Sequence, residues 1–368
     1  MTASGKAPDG SGAGQVSQAR GIRGIVPPSG IRLVIGLLIA LVLASIMATT
    51  YITADHAVVA HNLPWGQVGS SPLTTTVEKS VSLQVHQYAS QADLEQAANQ
   101  TKIYGGFVAS SNTLVLSEAA SLWAPGVMSA TYAKAAKQGG QKLQLKVINK
   151  LPSQDPQGAV PGIMLIVLLI AGYLGATFAM LRTKTTATHH RVTALFGYAV
   201  LLGLVIDLIA GPILGGYPDV GSHFWVLWPE FAFIAFAVAL LAATLQSIVG
   251  PMGTLLAVII VVFIGNPSTG GVNGVAYLPP FWQAIGLVLP PRNGLYLIRN
   301  TLYFGGNAIT TPIIVLSIYV VIGGALVTYF SWGRWWIERK ERKEAGATGS
   351  PPVIDPDEQI GTAAVPPG

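Results

Sequence analysis

Six long apolar segments constrain this chain more than any other feature. They run over roughly 31–52, 161–181, 193–215, 224–246, 252–267 and 311–332, and they are nearly free of Asp, Glu, Lys and Arg. A helix needs about 20 apolar residues to cross the hydrocarbon of a bilayer. The expected fold is therefore an α-helical membrane protein with six transmembrane helices. One long polar stretch, 53–160, separates the first from the second.

Composition agrees, with charged residues at 10% of the chain and hydrophobic residues at 51%, against about 25% charged in soluble domains. The net charge of +5 sits in flanks and tails, a pattern that orients a membrane protein and does not point to nucleic acid. With no cysteine, disulfides, thiolate metal sites, Fe–S clusters and cysteine nucleophiles are excluded. Arg20, Arg23 and Arg32 precede the first segment as they would in a signal peptide. Its apolar run is longer than the usual ~7–15 residues, however, and lacks a small-x-small cleavage site, so it reads as a retained anchor.

Basic residues set the orientation. One side collects Lys6, Arg20, Arg23 and Arg32, then Arg182, Lys184 and Arg191, then Arg334, Arg339, Lys340, Arg342 and Lys343. Short flanks decide orientation and long domains translocate largely regardless of charge, which predicts both termini in the cytoplasm of a multi-pass plasma-membrane protein. Trp332, Trp335 and Trp336 beside the last cluster read as an interfacial belt. The fifth segment is the weakest: a short β-branched run, Leu255 to Gly265, bounded by Gly250-Pro251 and Asn266-Pro267. It is expected to be tilted, partly re-entrant or broken. Residues 1–30 and 336–368 are read as cytoplasmic tails, disordered over 1–28 and 345–368.

The stretch 53–160 predicts a small α/β domain outside the cytoplasm. Val81 to Tyr88 alternates apolar and polar like a half-buried strand. Gln91 to Gln100 is helix material with Ser90 as N-cap and Asp93 in the first turn. Lys102 to Ala109 and Thr113 to Leu116 read as paired strands, Ser117 to Lys137 as a mostly helical stretch that Pro125-Gly126 should break or kink, and Leu143 to Ile148 as a closing strand. The order is β-α-β-β-α-β. His56, His61 and His86 are scattered, and His189-His190 sits in a short loop; none has metal-ligand spacing, and no nucleophile–base constellation appears, so neither an enzyme nor a cofactor is expected.

Several segments carry a resemblance. Lys102-Ile103-Tyr104-Gly105-Gly106-Phe107-Val108, Leu151-Pro152-Ser153-Gln154-Asp155-Pro156-Gln157-Gly158 and Leu278-Pro279-Pro280-Phe281-Trp282, continued by Leu289-Pro290-Pro291 and Ile298-Arg299-Asn300-Thr301-Leu302-Tyr303-Phe304, stand in that order between the apolar segments. In layout and in these segments, residues 31–335 resemble the bacterial ABC-2-type transporter permeases, in the phage-infection-protein-like branch with a large extracytoplasmic domain. The resemblance implies a five-helix permease domain over 161–335 with an outer hairpin at 277–304. It also implies a homodimer, or a heterodimer with a related permease, embedded in the lipid bilayer and driven by a separate cytoplasmic ABC ATPase. The chain has no Gly-x4-Gly-Lys-[Ser/Thr] with which to cradle ATP phosphates itself. The ATPase would meet the loop holding Arg182, Lys184 and Arg191, and the cargo would be amphipathic or lipid-like. The alternative is a membrane-anchored scaffold or surface receptor that binds a partner through 53–160 and transports nothing.

Between Arg191 and Arg334 the charged residues are Asp207, Glu230, Arg292 and Arg299, apart from Asp219 in a loop. An ionisable side chain at membrane depth costs about 2.5–3.5 kcal/mol to insert and usually faces a cavity or a partner. The expectation is that Asp207 or Glu230 pairs with Arg292 or Arg299 near the outer mouth, fixing the hairpin as a gate; the alternative is a purely structural pair, or one protonated Asp hydrogen-bonded within the bundle. Arg292, Tyr296, Arg299 and Tyr303 form one stripe on the hairpin helix. Gly162, Gly172 and Gly175 in the second segment, with Gly323 and Gly324 in the last, offer close helix contact.

Overall fold

The computed structural model describes residues 29–182 and 188–348, with the backbone alone at 29, 181–182, 188–189 and 331–348. The tails 1–28 and 349–368 therefore lie outside the described residues. The chain divides into two units, 1–47 and 48–368. The first unit, as described, is most of helix α1 (Ser29–Asp55), almost wholly apolar after Arg32; its last two turns belong to the second.

Among the described residues six helices are long and apolar enough to cross a membrane: Gly30–Asp55, Val160–Met180, His190–Ile213, Val220–Val249, Met252–Thr269 and Thr310–Phe330. These match the six apolar segments within a few residues. The last one runs further, as helix α11 (Thr310–Thr348), so 345–348 are helical where the composition predicts disorder.

Between α1 and α5 (Val160–Arg182) lies a five-stranded mixed sheet, in the order β2-β1-β3-β4-β5. The elements run β1 (Leu63–Val68), α2 (Pro72–Glu78), β2 (Leu83–Tyr88), α3 (Gln91–Asn99), β3 (Gly105–Val108), β4 (Thr113–Ser117), α4 (Ala124–Gln138) and β5 (Gln144–Ile148). β1 pairs in parallel with both β2 and β3, β3 and β4 form an antiparallel hairpin, and β4 pairs in parallel with β5. The expected order thus lacked β1 and α2. Ser90 caps α3 by accepting from the Asp93 amide at 3.2 Å, as its sequence predicts.

Pro125 does not kink a helix; it begins one. It occupies the first turn of α4, where its missing N–H is one of the donors a helix leaves unpaired anyway. The Ser121 hydroxyl accepts from the Trp123 and Ala124 amides, both at 3.1 Å, to complete that start. Under the sheet, Trp65 Nε1 donates to the Tyr132 hydroxyl at 2.9 Å, and the Tyr132 ring stacks on Trp65 and Phe107. Glycine is required at Gly106, because a Cβ there would lie 2.5 Å from both the Gly66 carbonyl oxygen and Leu94 Cδ1. That close approach of β1, β3 and α3 explains the Gly105-Gly106 step.

Helices α5, α6 (Thr188–Leu208), α7 (Val220–Val249), α8 (Met252–Val258) and α11 pack together around α7, which is buried along most of its length. Gly172 meets the Ala235 carbonyl, Gly175 the Tyr198 ring and Gly323 Leu240, so these glycines serve packing within one chain, whereas Gly162 and Gly324 face open space. One continuous core runs from Trp65 and Tyr132 in the sheet domain through Tyr277 and Ile298 to Phe231 and Leu168.

Candidate functional site: the hairpin between the last two spans

The fifth span is continuous but irregular. After α8 the helix widens into π-type turns over Ile259–Gly265 and tightens over Pro267–Thr269. Two short helices follow, α9 (Pro280–Gly286) and α10 (Pro290–Tyr303). Prolines in their first turns start both, since proline fixes φ and leaves no N–H to satisfy. The tip between them is stapled: Asn293 Nδ2 donates to the Leu287 and Leu289 carbonyls at 3.1 and 2.9 Å, and Arg292 Nη1 to the Gln283 carbonyl at 2.6 Å.

This tip reaches Tyr319, midway along the apolar part of α11, and leaves Leu287 and Val288 exposed. The Tyr319 hydroxyl donates to the Val288 carbonyl at 2.9 Å, and Tyr319 is nine residues along α11 from Thr310, about 14 Å at helical rise. Gly294 lies against Leu165 of α5 and Ile234 of α7. The tip also covers the end of the fifth span, with Gly265 against Pro291 and Gly286 against the Ser268 carbonyl.

The hairpin and the loop leading into it are tied to the sheet domain by bonds that span the chain. The His61 amide donates to the Ala276 carbonyl at 2.8 Å, the Leu122 amide to the Val272 carbonyl at 2.8 Å, and the Ser121 hydroxyl to the Asn273 carbonyl at 2.5 Å. The Ala276 amide donates to the Tyr104 hydroxyl at 3.1 Å, and Arg299 Nη2 to the Ala120 carbonyl at 2.9 Å. At the far end of α10, the Tyr303 hydroxyl donates to Asp155 Oδ2 at 2.5 Å. Asp155 also accepts from the Ala159 and Val160 amides at 2.9 and 3.0 Å, so one carboxyl both caps α5 and anchors the hairpin. Tyr51 near the end of α1 donates to the Val262 carbonyl at 3.3 Å and accepts from Asn266 Nδ2 at 3.0 Å.

The four charges do not pair as expected. Glu230 Oε1 accepts from the Thr301 hydroxyl at 2.6 Å, and Asp207 Oδ1 from the Tyr217 hydroxyl at 2.5 Å. The second carboxyl oxygen of each is buried without a partner. π-type turns over Ile209–Ile213, around Pro212, bring the chain back so that Tyr217 reaches Asp207, and Gly211 leaves room for its ring. Neutral hydroxyl donors serve both acids because a proton donor need not carry charge to satisfy a buried carboxyl oxygen.

Arg292 and Arg299 instead share one aromatic ring. Their guanidinium carbons lie 5.5 and 5.1 Å from the Tyr296 centroid, within cation–π range. In the stripe of Arg292, Tyr296, Arg299 and Tyr303, the arginines bind the ring and backbone carbonyls, and Tyr303 binds Asp155. Arg299 is 5% exposed, with Nε unpartnered. Among the described residues no carboxylate lies within ion-pair distance of either arginine.

Burial pushes the Tyr104 phenol well above its ordinary range, an effect raised further by Tyr296 and opposed by the Ala276 amide and both arginines. Tyr303 is pushed up by burial and by Asp155, and Tyr277, whose buried hydroxyl has no partner, to about 12 by burial. All three are neutral hydroxyls at neutral pH.

At the opposite ends of α7 and α5, Gln246 Nε2 donates to Thr177 and Thr254 at 2.8 and 2.9 Å, joining three spans. Of the proposed ATPase-facing residues, Arg191 lies in the first turn of α6, while Lys184 and the side chain of Arg182 lie outside the described residues. Among the described residues no group of His, Asp and Glu could hold a metal ion. Sequence reasoning missed Tyr104, Asp155, Tyr217 and Thr301 as partners at these junctions; Asp155-Pro156-Gln157-Gly158 just before an apolar segment was the available signal. Compared with protein-family models, curated proteins and solved structures, the chain matches none.

Proposed function

We propose that this chain is the permease subunit of an ABC-2-type exporter, moving an amphipathic or lipid-like substrate across a plasma membrane and powered by a separate ATPase. The observation that carries the reading is the hairpin α9–α10. It enters between α5, α7 and α11, brings Arg292, Asn293, Asn300 and Thr301 among apolar spans, and is bonded to the sheet domain. Polar side chains held inside a set of spans by a re-entrant segment line a route or close one. A receptor that merely displays a domain needs neither.

Connectivity supports the topology. The segment after the first span meets the segment after the fifth at Ala276, Asn273 and Val272, as it must if all six spans cross and both emerge on one side. The basic flanks then put that side outside and both termini in the cytoplasm. Two copies would complete the path, and the ATPase would bind the loop of Arg182, Lys184 and Arg191.

The test is purification in mild detergents with mass-spectrometric identification of copurifying proteins. A stoichiometric ATP-binding partner, whose hydrolysis changes on substitution of Arg182, Lys184 and Arg191, supports the exporter. Absence of an ATPase across several detergents favours the scaffold or receptor, with the sheet domain as its binding module.

A further inference from the structure

We propose that Arg292, Tyr296 and Arg299 form a binding site for the anionic head of an amphipathic molecule, whose tail lies along the tip of the α9–α10 hairpin. Assigning that molecule as cargo rests on the permease reading; the site itself does not.

The argument begins with charge. Two guanidinium groups face one ring, and neither has a carboxylate within ion-pair distance among the described residues. Arg299 is almost fully buried, donates to the Ala120 carbonyl, and keeps Nε without a partner. A buried cation is retained where an opposite charge or several acceptors compensate it, and here one carbonyl and one ring do so. The acids of the same junction are otherwise engaged: Asp155 accepts three hydrogen bonds, and Glu118 Oε2 accepts from the Leu151 amide at 3.2 Å. What the pair lacks is an anion.

Position and shape supply the rest. Arg292 and Tyr296 are half-buried, so the stack is open on one side, and the Tyr104 hydroxyl, accepting from the Ala276 amide, still has its own proton to donate. Arginine forks match the planar or tetrahedral oxygens of carboxylate and phosphate. On the same hairpin Phe281, Leu287 and Val288 are 63%, 54% and 61% exposed. A head bound at the arginines thus has an apolar surface beside it, and a soluble anion would leave that surface unused.

The test uses the full chain in nanodiscs of zwitterionic phosphatidylcholine, titrated calorimetrically with short-chain phosphatidic acid, short-chain phosphatidylcholine and inorganic phosphate. Binding of phosphatidic acid alone, weakened roughly tenfold to a hundredfold by Arg292→Gln, supports the site. Arg299→Gln is expected to weaken it similarly; because it alters a buried group, the half-buried Arg292 carries the decision if that variant unfolds. Arg292→Lys keeps the charge but not the fork, and is expected to restore only part of the affinity. Repeating the titration in nanodiscs containing phosphatidylglycerol separates two sources of the same chemistry. Competition marks a resident anionic lipid and no competition marks a diffusible amphipath, and either outcome supports the site. Equal binding by wild type and Arg292→Gln, or inorganic phosphate binding as tightly as phosphatidic acid, overturns it. Because the readout needs no ATPase, a missing ATPase would sink the exporter reading and leave this result standing.

Discussion

The Tyr303 hydroxyl donates to Asp155 Oδ2 at 2.5 Å, joining the end of α10 to the turn that starts α5. Because Asp155 also accepts from the Ala159 and Val160 amides, its loss should cost more than that of its partner. Tyr303→Phe is expected to lower stability by about 1–2 kcal/mol and Asp155→Ala by about 2–4 kcal/mol. In the Asp155→Ala background Tyr303→Phe should have little further effect, as measured by thermal unfolding in detergent. Additive losses would mean that the bond contributes nothing.

Asp207 is held by Tyr217 and not by arginine. Tyr217→Phe strands a buried acid and should cost about 1–3 kcal/mol, whereas replacing both by apolar residues, Asp207→Leu with Tyr217→Phe, should recover part of that loss. The charge swap Asp207→Arg with Arg299→Asp should rescue neither single variant. Rescue in unfolding assays would restore the acid–arginine pairing that the sequence suggests.

Burial raises the Tyr132 phenol to about 12, with the Thr74 and Trp65 hydrogen bonds opposing it. Unfolded, the phenol titrates near its ordinary value of about 10. Its folded value is raised, so the stability this group contributes is fully present below pH 10 and is lost as pH climbs from there through about 12. Wild type should therefore lose stability more steeply than Tyr132→Phe over that window, followed by Trp fluorescence. Parallel curves would place the alkaline sensitivity elsewhere.

How much of this was legible in the sequence follows from what each residue reports. The spans were legible because hydrocarbon demands long apolar runs, and α3 because Ser90 and Asp93 mark its start. β1 was not, since Leu63-Pro64-Trp65-Gly66-Gln67-Val68 lies inside the sheet, buried along most of its length, and so shows no alternation. Its proline and glycine read locally as a turn. The partners of Asp207 and Glu230 were missed because scarce charges suggest ion pairs, while Tyr217 and Thr301 are ordinary residues whose role depends on where π-turns and the hairpin carry them.

Glycine positions separate packing from open surface. A Cβ on Gly203 of α6 would sit 2.7 Å from the Ala232 nitrogen and 2.9 Å from the Trp228 carbonyl oxygen, both backbone atoms, whereas Gly197 and Gly324 have nothing within 4 Å. Gly203→Ala should destabilise by about 1–3 kcal/mol through overpacking, and Gly197→Ala should be neutral or stabilising by up to about 1 kcal/mol through helix propensity. A neutral Gly203→Ala in detergent unfolding would mean that α6 and α7 separate more readily than their contact implies.

The absence of cysteine makes the proposed orientation directly testable, since a single introduced thiol is the sole target of a maleimide. Ser153 is exposed in the turn before α5, and Thr185 lies in the basic loop between the second and third spans. In intact cells a membrane-impermeant maleimide should label Ser153→Cys and leave Thr185→Cys unlabelled until the membrane is opened. A third position, Gly271→Cys, lies in the loop after the fifth span, where a Cβ meets open space although its left-handed φ of 46° puts some strain on any side chain. Because that loop is bonded to the sheet domain through Asn273 and Ala276, it should label with Ser153. Labelling of Thr185→Cys in intact cells would invert the topology and move the ATPase-facing loop outside. Labelling of Gly271→Cys only after opening the membrane, with Ser153→Cys labelled before, would mean that the fifth span does not cross and that the junction carrying the hairpin does not form in the cell.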